Sequence, residues 1–484
     1  MPELLLALDV GTTSARAMLV TASGEVLGLE KRPVVTLFPG PGRAEQDGEA
    51  IWATLMDAVA ALFAGAGRAV ADVAAIGVTT QRAGAVVWDR ATSEPVAPIV
   101  VWSDQGSVER SKEIMAAGFP CWPQFPSAKL EALLDRIADG RGRAARGEIL
   151  FGPIDSWLVH KLSGGAAHIT DLSGAWLTGY LDFAVPTQWN AGLLDFQGLP
   201  DAFLPRITDS WGALARTAPN IFGRTIPITA LIADQQAGMI AHDALGEGAW
   251  KATYGTSAVL MASLGAAPAM THRAMPPAAM LRADGAPLFC VEGMVISAGS
   301  FIEWLCGPMR MFASPVEFVL AARRGRPDSG VFVVPALQGL GAPHSRLDAR
   351  ALIFGLSPQT TPEEVAAATL AAIACRVREI AEVLGDLPGA AARASLPVDG
   401  GLAADPAFLQ LQADLLGRPV RRHAVREATV YGAALAAGLG AGLIDPAGLA
   451  DFARYDLDLA PEISRDEADA TFHRWQFARA LAHA

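Results

Sequence analysis

Two apolar runs in this chain are each broken once by glycine and hydroxyl residues, and they lie in different halves: LALDVGTTSARAML at residues 6–19 and KATYGTSAVLMAS at residues 251–263. A strand that stops at Gly-Thr and then resumes has to reverse direction, so each run is predicted to be a β-hairpin. The elements downstream of each hairpin repeat as well. After the first hairpin, Ser23-Gly24 turns the chain into a third strand. Asp47-Gly48-Glu49 opens a helix through about Phe63, with Ile51, Leu55, Ala58, Val59 and Leu62 at helical spacing, and VAAIGVTTQ is the next strand. In the second half, a long amphipathic helix starts at Pro362, and SLPVDGGLAADPAFLQLQADLL reads as strand, Gly400-Gly401 turn and helix. With 484 residues the chain exceeds what one core supports. The expectation is two related α/β domains, 1–246 and 247–484, each a mixed β-sheet flanked by helices.

Core material is not limiting, since 51% of the residues are apolar. Two uncharged stretches raise the question of a membrane. Residues 252–271 are interrupted by Gly255, Gly265 and Pro268 and read as strand, turn, strand; residues 428–444 are short, glycine-rich and bracketed by Glu427 and Asp445, which suits a packed helix. The run at residues 4–8 is too brief for a signal-peptide core and follows an acid, so a cytoplasmic protein is expected. A net charge of -12 argues against nucleic-acid or anionic-membrane partners. The four cysteines show no CxxC pair and the eight histidines no HxxxH pair, so free thiols and no zinc site are expected.

In DVGTTS, glycine permits a tight turn. Its exposed amides and the hydroxyls of Thr12, Thr13 and Ser14 are donors suited to a polyphosphate, with Asp9 available to hold Mg2+ through water. Because an unpaired buried carboxylate is costly, Asp9 is expected at an exposed strand end. The turn is neither a Walker loop nor GxGxxG, and a plain hairpin explains it equally well in isolation. TYGTSA offers a second such turn, and the glycines after PVD would let a flat nucleobase lie against the backbone. Asp234 follows an apolar strand and precedes a helical pattern: its ordinary role is helix N-cap, its functional one general base. For Trp102 the ordinary role is a core aromatic, the functional one a face for a sugar.

Read in order, DVGTTSAR, GVTTQR, FGPIDSWLVHKLSGG, ADQQAGMIAH, TYGTSAV, VVPALQGLGAP and VDGG cover nearly the whole chain and resemble the FGGY family of carbohydrate kinases, its glycerol-phosphorylating members most of all. The resemblance implies two ribonuclease H-like domains of the actin and Hsp70 type, with ATP and Mg2+ in a cleft between them. It implies Asp234 as catalytic base, and Asp9 and Asp234 as the metal-associated acids. Thr12, Thr13, Ser14, Gly255, Thr256 and Gly299 would be phosphate contacts, with Gly400, Gly401 and Asp405 at the adenosine. Gln81, Arg82, Trp102, Asp104, Gln124 and Gln235 would face the substrate.

Substrate identity is where the chain departs from the family's pattern. Glycerol-phosphorylating members carry Glu and Tyr where this sequence has Ala83 and Gln124, and Asp104 replaces the arginines that follow the Trp. A site built on hydrogen bonds to substrate hydroxyls discriminates by having them. The expectation is therefore a small sugar or polyol, glycerol-like, tetritol, pentitol or pentulose, with the roomier pocket suiting a four- or five-carbon polyol or ketose, phosphorylated by in-line transfer from ATP in an enzyme for which a homodimer is a candidate assembly. The rival readings are an actin- or Hsp70-like ATPase switch and a sugar-sensing regulator without turnover.

Overall fold

The computed structural model describes residues 3–266, 275, 277–326, 329–346, 348–387 and 395–482. The chain divides into two compact units, residues 1–243 with 279–288 and 429–452, and residues 244–278 with 289–428 and 453–484. The break falls at Asp243, and two later segments rejoin the first unit, so the grouping is not two contiguous halves. Glycine makes one return possible: a Cβ at Gly77 would lie 2.1 Å from Ala433 O, and one at Gly432 would lie 1.9 Å from Ala237 O, so the buried helix Ala428–Gly440 docks backbone to backbone.

Main-sheet strands are numbered in chain order. In the first unit β1 (Leu4–Val10), β2 (Ser14–Thr21), β3 (Val26–Pro33), β4 (Val73–Thr80), β5 (Trp211–Arg216) and β6 (Pro227–Ala233) form a six-stranded sheet in the order β5-β6-β4-β1-β2-β3. The three central strands β6, β4 and β1 run parallel, and the other pairs are antiparallel. The central strands are almost wholly buried, as expected for a parallel sheet covered on both faces. The predicted helix extends over Gly48–Ala66, capped by Asp47, whose side chain accepts from Ala50 N. By length and composition alone this helix could cross a membrane. Its apolar stripe, Ile51, Leu55, Ala58, Val59 and Leu62, is instead buried in the core of the first sheet.

The second sheet consists of β7 (Trp250–Tyr254), β8 (Ala258–Gly265), β9 (Pro277–Ala283), β10 (Ala286–Val295), β11 (Leu396–Asp399), β12 (Val420–His423) and β13 (Tyr455–Leu459), in the order β9-β10-β8-β7-β11-β12-β13. Here β7, β11 and β12 are the parallel neighbours. The long helix spans Pro362–Gly385 with Pro362 in its first turn. The expected strand, turn, strand over 252–271 is present through residue 265, and its end lies outside the described residues.

Both sheets thus share one core, three antiparallel strands followed by two parallel strands: β3-β2-β1-β4-β6 in one and β10-β8-β7-β11-β12 in the other. The first unit adds a long insertion between β4 and β5 with its own core, in which Val87, Leu130, Phe151, Tyr180 and Phe203 are buried together.

Candidate active site

Strand register builds the site in the first unit. Val10 pairs with Thr80, and Thr80 with Ala233, so Gly11, Gln81 and Asp234 follow at the carboxyl ends of three adjacent parallel strands. Neighbouring strands lie about 4.8 Å apart, and ligands of open α/β sheets bind at such ends. Asp234 begins the helix Asp234–Ala241. It is the first helical residue and not the cap expected of it: the cap position is Ala233, which has no side-chain acceptor, and Asp234 Oδ1 instead accepts from Gln235 N at 2.7 Å. A carboxylate in the first turn is favoured by the helix dipole. Arg82 Nε lies 3.3 Å from Asp234 Oδ1, and the Asp234 side chain keeps about a quarter of its surface (23%) exposed.

Asp9 contradicts its expected exposure. It is 1% exposed, and burial is tolerated because Arg16 stands directly across the hairpin and its Nη1 reaches Asp9 Oδ2 at 2.5 Å. The turn itself is clamped from behind. Trp102 Nε1 donates to Thr12 Oγ1 at 3.0 Å, and that hydroxyl donates to Gln81 Oε1 at 3.0 Å. Gln81 Nε2 donates to Gln46 Oε1 at 2.9 Å, and Gln46 Nε2 donates back to Thr12 O at 2.8 Å and to Thr36 Oγ1 at 2.9 Å. The single hydroxyl proton of Thr12 is therefore spent within the protein. Thr13 stays exposed, and Ser14 Oγ is buried with no hydrogen-bond partner among the described residues. Gln46, which pattern reading missed, lies in a two-residue strand without local signal.

Of the other substrate-side candidates, Ala83 is buried with φ 55°, and Gln235 is half-buried. Gln124 Oε1 is buried with no partner among the described residues. Asp104 is taken up by the framework: it is 1% exposed and its carboxylate accepts from Ala44 N at 2.8 Å and Gly106 N at 2.9 Å, with Arg43 Nε 3.2 Å away. Beneath this segment Lys129 is buried, donates to Val101 O at 2.7 Å, and is pushed down to about 7 by burial, with Asp104 opposing the shift.

In the second unit the corresponding strand ends are rich in glycine, with Thr256 and Ser257 in the turn after β7 and Gly400-Gly401 after β11. The turn at residues 255–257 joins β7 and β8, and the helix Gly299–Cys306 starts on it: Gly299 N donates to Gly255 O at 3.1 Å and Ser300 N to Thr256 O at 3.0 Å. A Cβ at Gly299 would lie 2.5 Å from Gly255 O. Gly400 has φ 95° and lies against the Tyr254 backbone, while Gly401 is exposed with open space beside it. Asp405 caps the helix Pro406–Leu416, accepting from Ala407 N at 3.3 Å, and forms an ion pair with Arg323.

Two hydroxyl-bearing hairpins on one repeated core of three antiparallel and two parallel strands give the chain a ribonuclease H-like α/β fold. Residues 4–241 match the N-terminal domain, and residues 250–441 the C-terminal domain, of the FGGY family of carbohydrate kinases. The chain is 37% identical over 485 residues to a glycerol kinase of Geobacter sp. (strain M21), covering 98% of this chain and 97% of that one. To the glycerol kinase of Thermus brockianus it is 36% identical over 484 residues, with the same two shares. Among solved structures it is similar to Plasmodium falciparum glycerol kinase with ADP, at TM-score 0.85 and 24% identity over 99% of this chain and 98% of that one. The chain belongs to the FGGY family of carbohydrate kinases, and it is an ATP-dependent sugar or polyol kinase.

Proposed function

We propose that Asp234 is the general base of this kinase and that its acceptor is a four- or five-carbon polyol or ketose. The observation that carries the first part is the row of Gly11, Gln81 and Asp234 on three parallel strand ends, with Arg82 beside the carboxylate. Asp234 has exposed surface with which to accept a hydroxyl proton as that oxygen attacks phosphorus, and the Arg82 guanidinium 3.3 Å away orients it. The exposed hydroxyl of Thr13 and the backbone around Gly255 and Thr256 are donors for charge on the transferring group. Gly401 leaves backbone open to a flat base, and the main chains of Ser14 and Gly299 hold the two turns through Gly11 N–Ser14 O and Gly299 N–Gly255 O hydrogen bonds.

Mg2+ fits this donor set as an ion carried by the nucleotide and not as a resident of a protein cage. Among the described residues no three His, Cys, Asp or Glu side chains cluster, and Mg2+ is commonly held by one or two carboxylates together with substrate phosphates. Asp234 and Asp9 are the acids that would hold it, Asp9 through water because Arg16 occupies its Oδ2. When bound, the ion neutralises phosphate charge.

For the acceptor, the supporting feature is the small buried Ala83 next to Arg82, where a longer side chain would take up space. Trp102 offers its ring face, since its N–H belongs to Thr12. The cytoplasm, where ATP is supplied, is the proposed location. The test is ADP release from MgATP with and without glycerol, erythritol, threitol, pentitols, pentuloses and gluconate. At least a tenfold stimulation by a four- or five-carbon compound is expected. Best turnover on glycerol would overturn the acceptor assignment, and an acceptor-independent rate would overturn the base.

A further inference from the structure

Strand β6 delivers Asp234, yet its outer edge is only partly covered. Its edge partner β5 pairs with it from Pro227 to Ala230 and goes no further. Beyond that point the outward amides are those of Leu231 and Ala233, two residues apart and so on one side of the strand. Leu231 N donates to Ser210 O at 2.9 Å, and Ala233 N donates to Ser173 Oγ at 2.9 Å.

Both acceptor residues are anchored on one carboxylate. Asp171 Oδ2 accepts from Ser210 Oγ at 2.6 Å, both its oxygens lie 2.8 Å from Ser173 Oγ, and Oδ1 accepts from Gly174 N at 2.8 Å. Asp171, Ser173 and Ser210 are all wholly buried. A serine hydroxyl has one proton; with that proton given to Asp171, a lone pair is left for the Ala233 N–H. The carboxylate therefore dictates which way the serine oxygen faces.

We propose that Ser173, oriented by Asp171, is a positioning residue for phosphoryl transfer: it stands in for the missing edge strand and fixes the Ala233–Asp234 peptide, so that the Asp234 carboxylate is held beside Arg82. The inference rests on Asp234 being the base. Misplacing a catalytic group by about 1 Å costs on the order of 100-fold in rate. Losing one buried acceptor while the helix stays in place should therefore lower kcat by roughly 10- to 100-fold.

The test compares Ser173→Ala, Ser173→Thr and Asp171→Asn with the parent, using MgATP and the acceptor that gives the fastest ADP release among the polyols and ketoses named for the acceptor test. Ser173→Ala is expected to lose kcat in that range, to bind ATP within about twofold of the parent, and to exchange the Ala233 amide faster by hydrogen-exchange mass spectrometry. Ser173→Thr keeps the hydroxyl and should restore kcat to within about threefold of the parent. In an Asp234→Ala background the serine change should cost less than about twofold, since there is no base left to position. A parent-like kcat in Ser173→Ala, unchanged exchange at Ala233, or an undiminished loss in the Asp234→Ala background would each overturn the inference. If Ser173→Ala does not fold, Asp171→Asn carries the same readouts. A crippled Asp234→Ala beside a parent-like Ser173→Ala sinks this inference alone, whereas a parent-like Asp234→Ala sinks the base assignment first.

Discussion

The two units build the same five-strand core and end it in opposite chemistry. At the carboxyl ends of β1, β4 and β6 the first unit presents Thr12 and Gln81, locked by a hydrogen-bonded chain from Trp102 to Thr36, and the Arg82–Asp234 pair. At the ends of β7 and β11 the second unit presents exposed main chain at Gly255 and Gly401, beside the hydroxyls of Thr256 and Ser257, while Gly400 packs against the Tyr254 backbone. A repeated fold thus ends in charged and amide side chains on one sheet and in glycine-bearing turns on the other. The insertion between β4 and β5 exists only on the charged side, and it supplies Trp102, Gln124, Lys129 and the Asp171 cluster.

This contrast can be broken from either side. The largest expected effect is proton-linked. Lys129 titrates near 10.5 when unfolded and about 7 when folded, so between those values the unfolded chain holds more protons and stability climbs as pH rises. Chemical denaturation of the parent should show a rise of up to about 1 kcal/mol per pH unit between pH 7 and 10, and Lys129→Met should flatten it. On the bare side, Gly400→Ala forces a side chain into φ 95° with its Cβ 2.5 Å from Tyr254 O. A loss of about 2–4 kcal/mol is expected, read as a lowered Tm. Gln46→Leu removes both donors and the acceptor that fasten the first turn, and should cost about 1–3 kcal/mol and weaken ATP binding measured by calorimetry. The smallest effect is expected at Gly11→Ala. Its nearest neighbours would be an Arg16 nitrogen and Ser14 O at 3.3 Å, so stability should stay within about 1 kcal/mol of the parent. If Gly11→Ala proved as damaging as Gly400→Ala, the contrast between the units would fail.

The repeated core was legible in the sequence because hairpins and helices leave local marks: the Ser23-Gly24 turn, the Asp47 cap and the Pro362 start all fall where the pattern places them. Asp234 was legible as a carboxylate at a strand-to-helix junction, though its position within the helix was off by one residue, since caps are set by backbone angles that composition does not encode. What stayed hidden depends on residues far apart in the chain. The burial of Asp9 follows from which residue faces it across the hairpin, and Asp104 turns inward because Ala44, sixty residues earlier, offers its amide. Gln46 and Ser173 carry no local mark of their roles, and Asp171 carries only that of a helix cap, because what they hold lies in tertiary partners.

The central claim is that one carboxylate on the first unit takes the acceptor's proton while ATP is held by other groups. Single-turnover transfer of the labelled γ-phosphate, measured alongside ATP affinity in Asp234→Ala, tests it most directly. A transfer rate lowered by about 10² to 10⁴ with ATP affinity retained is predicted. Near-parent transfer by that variant would contradict it.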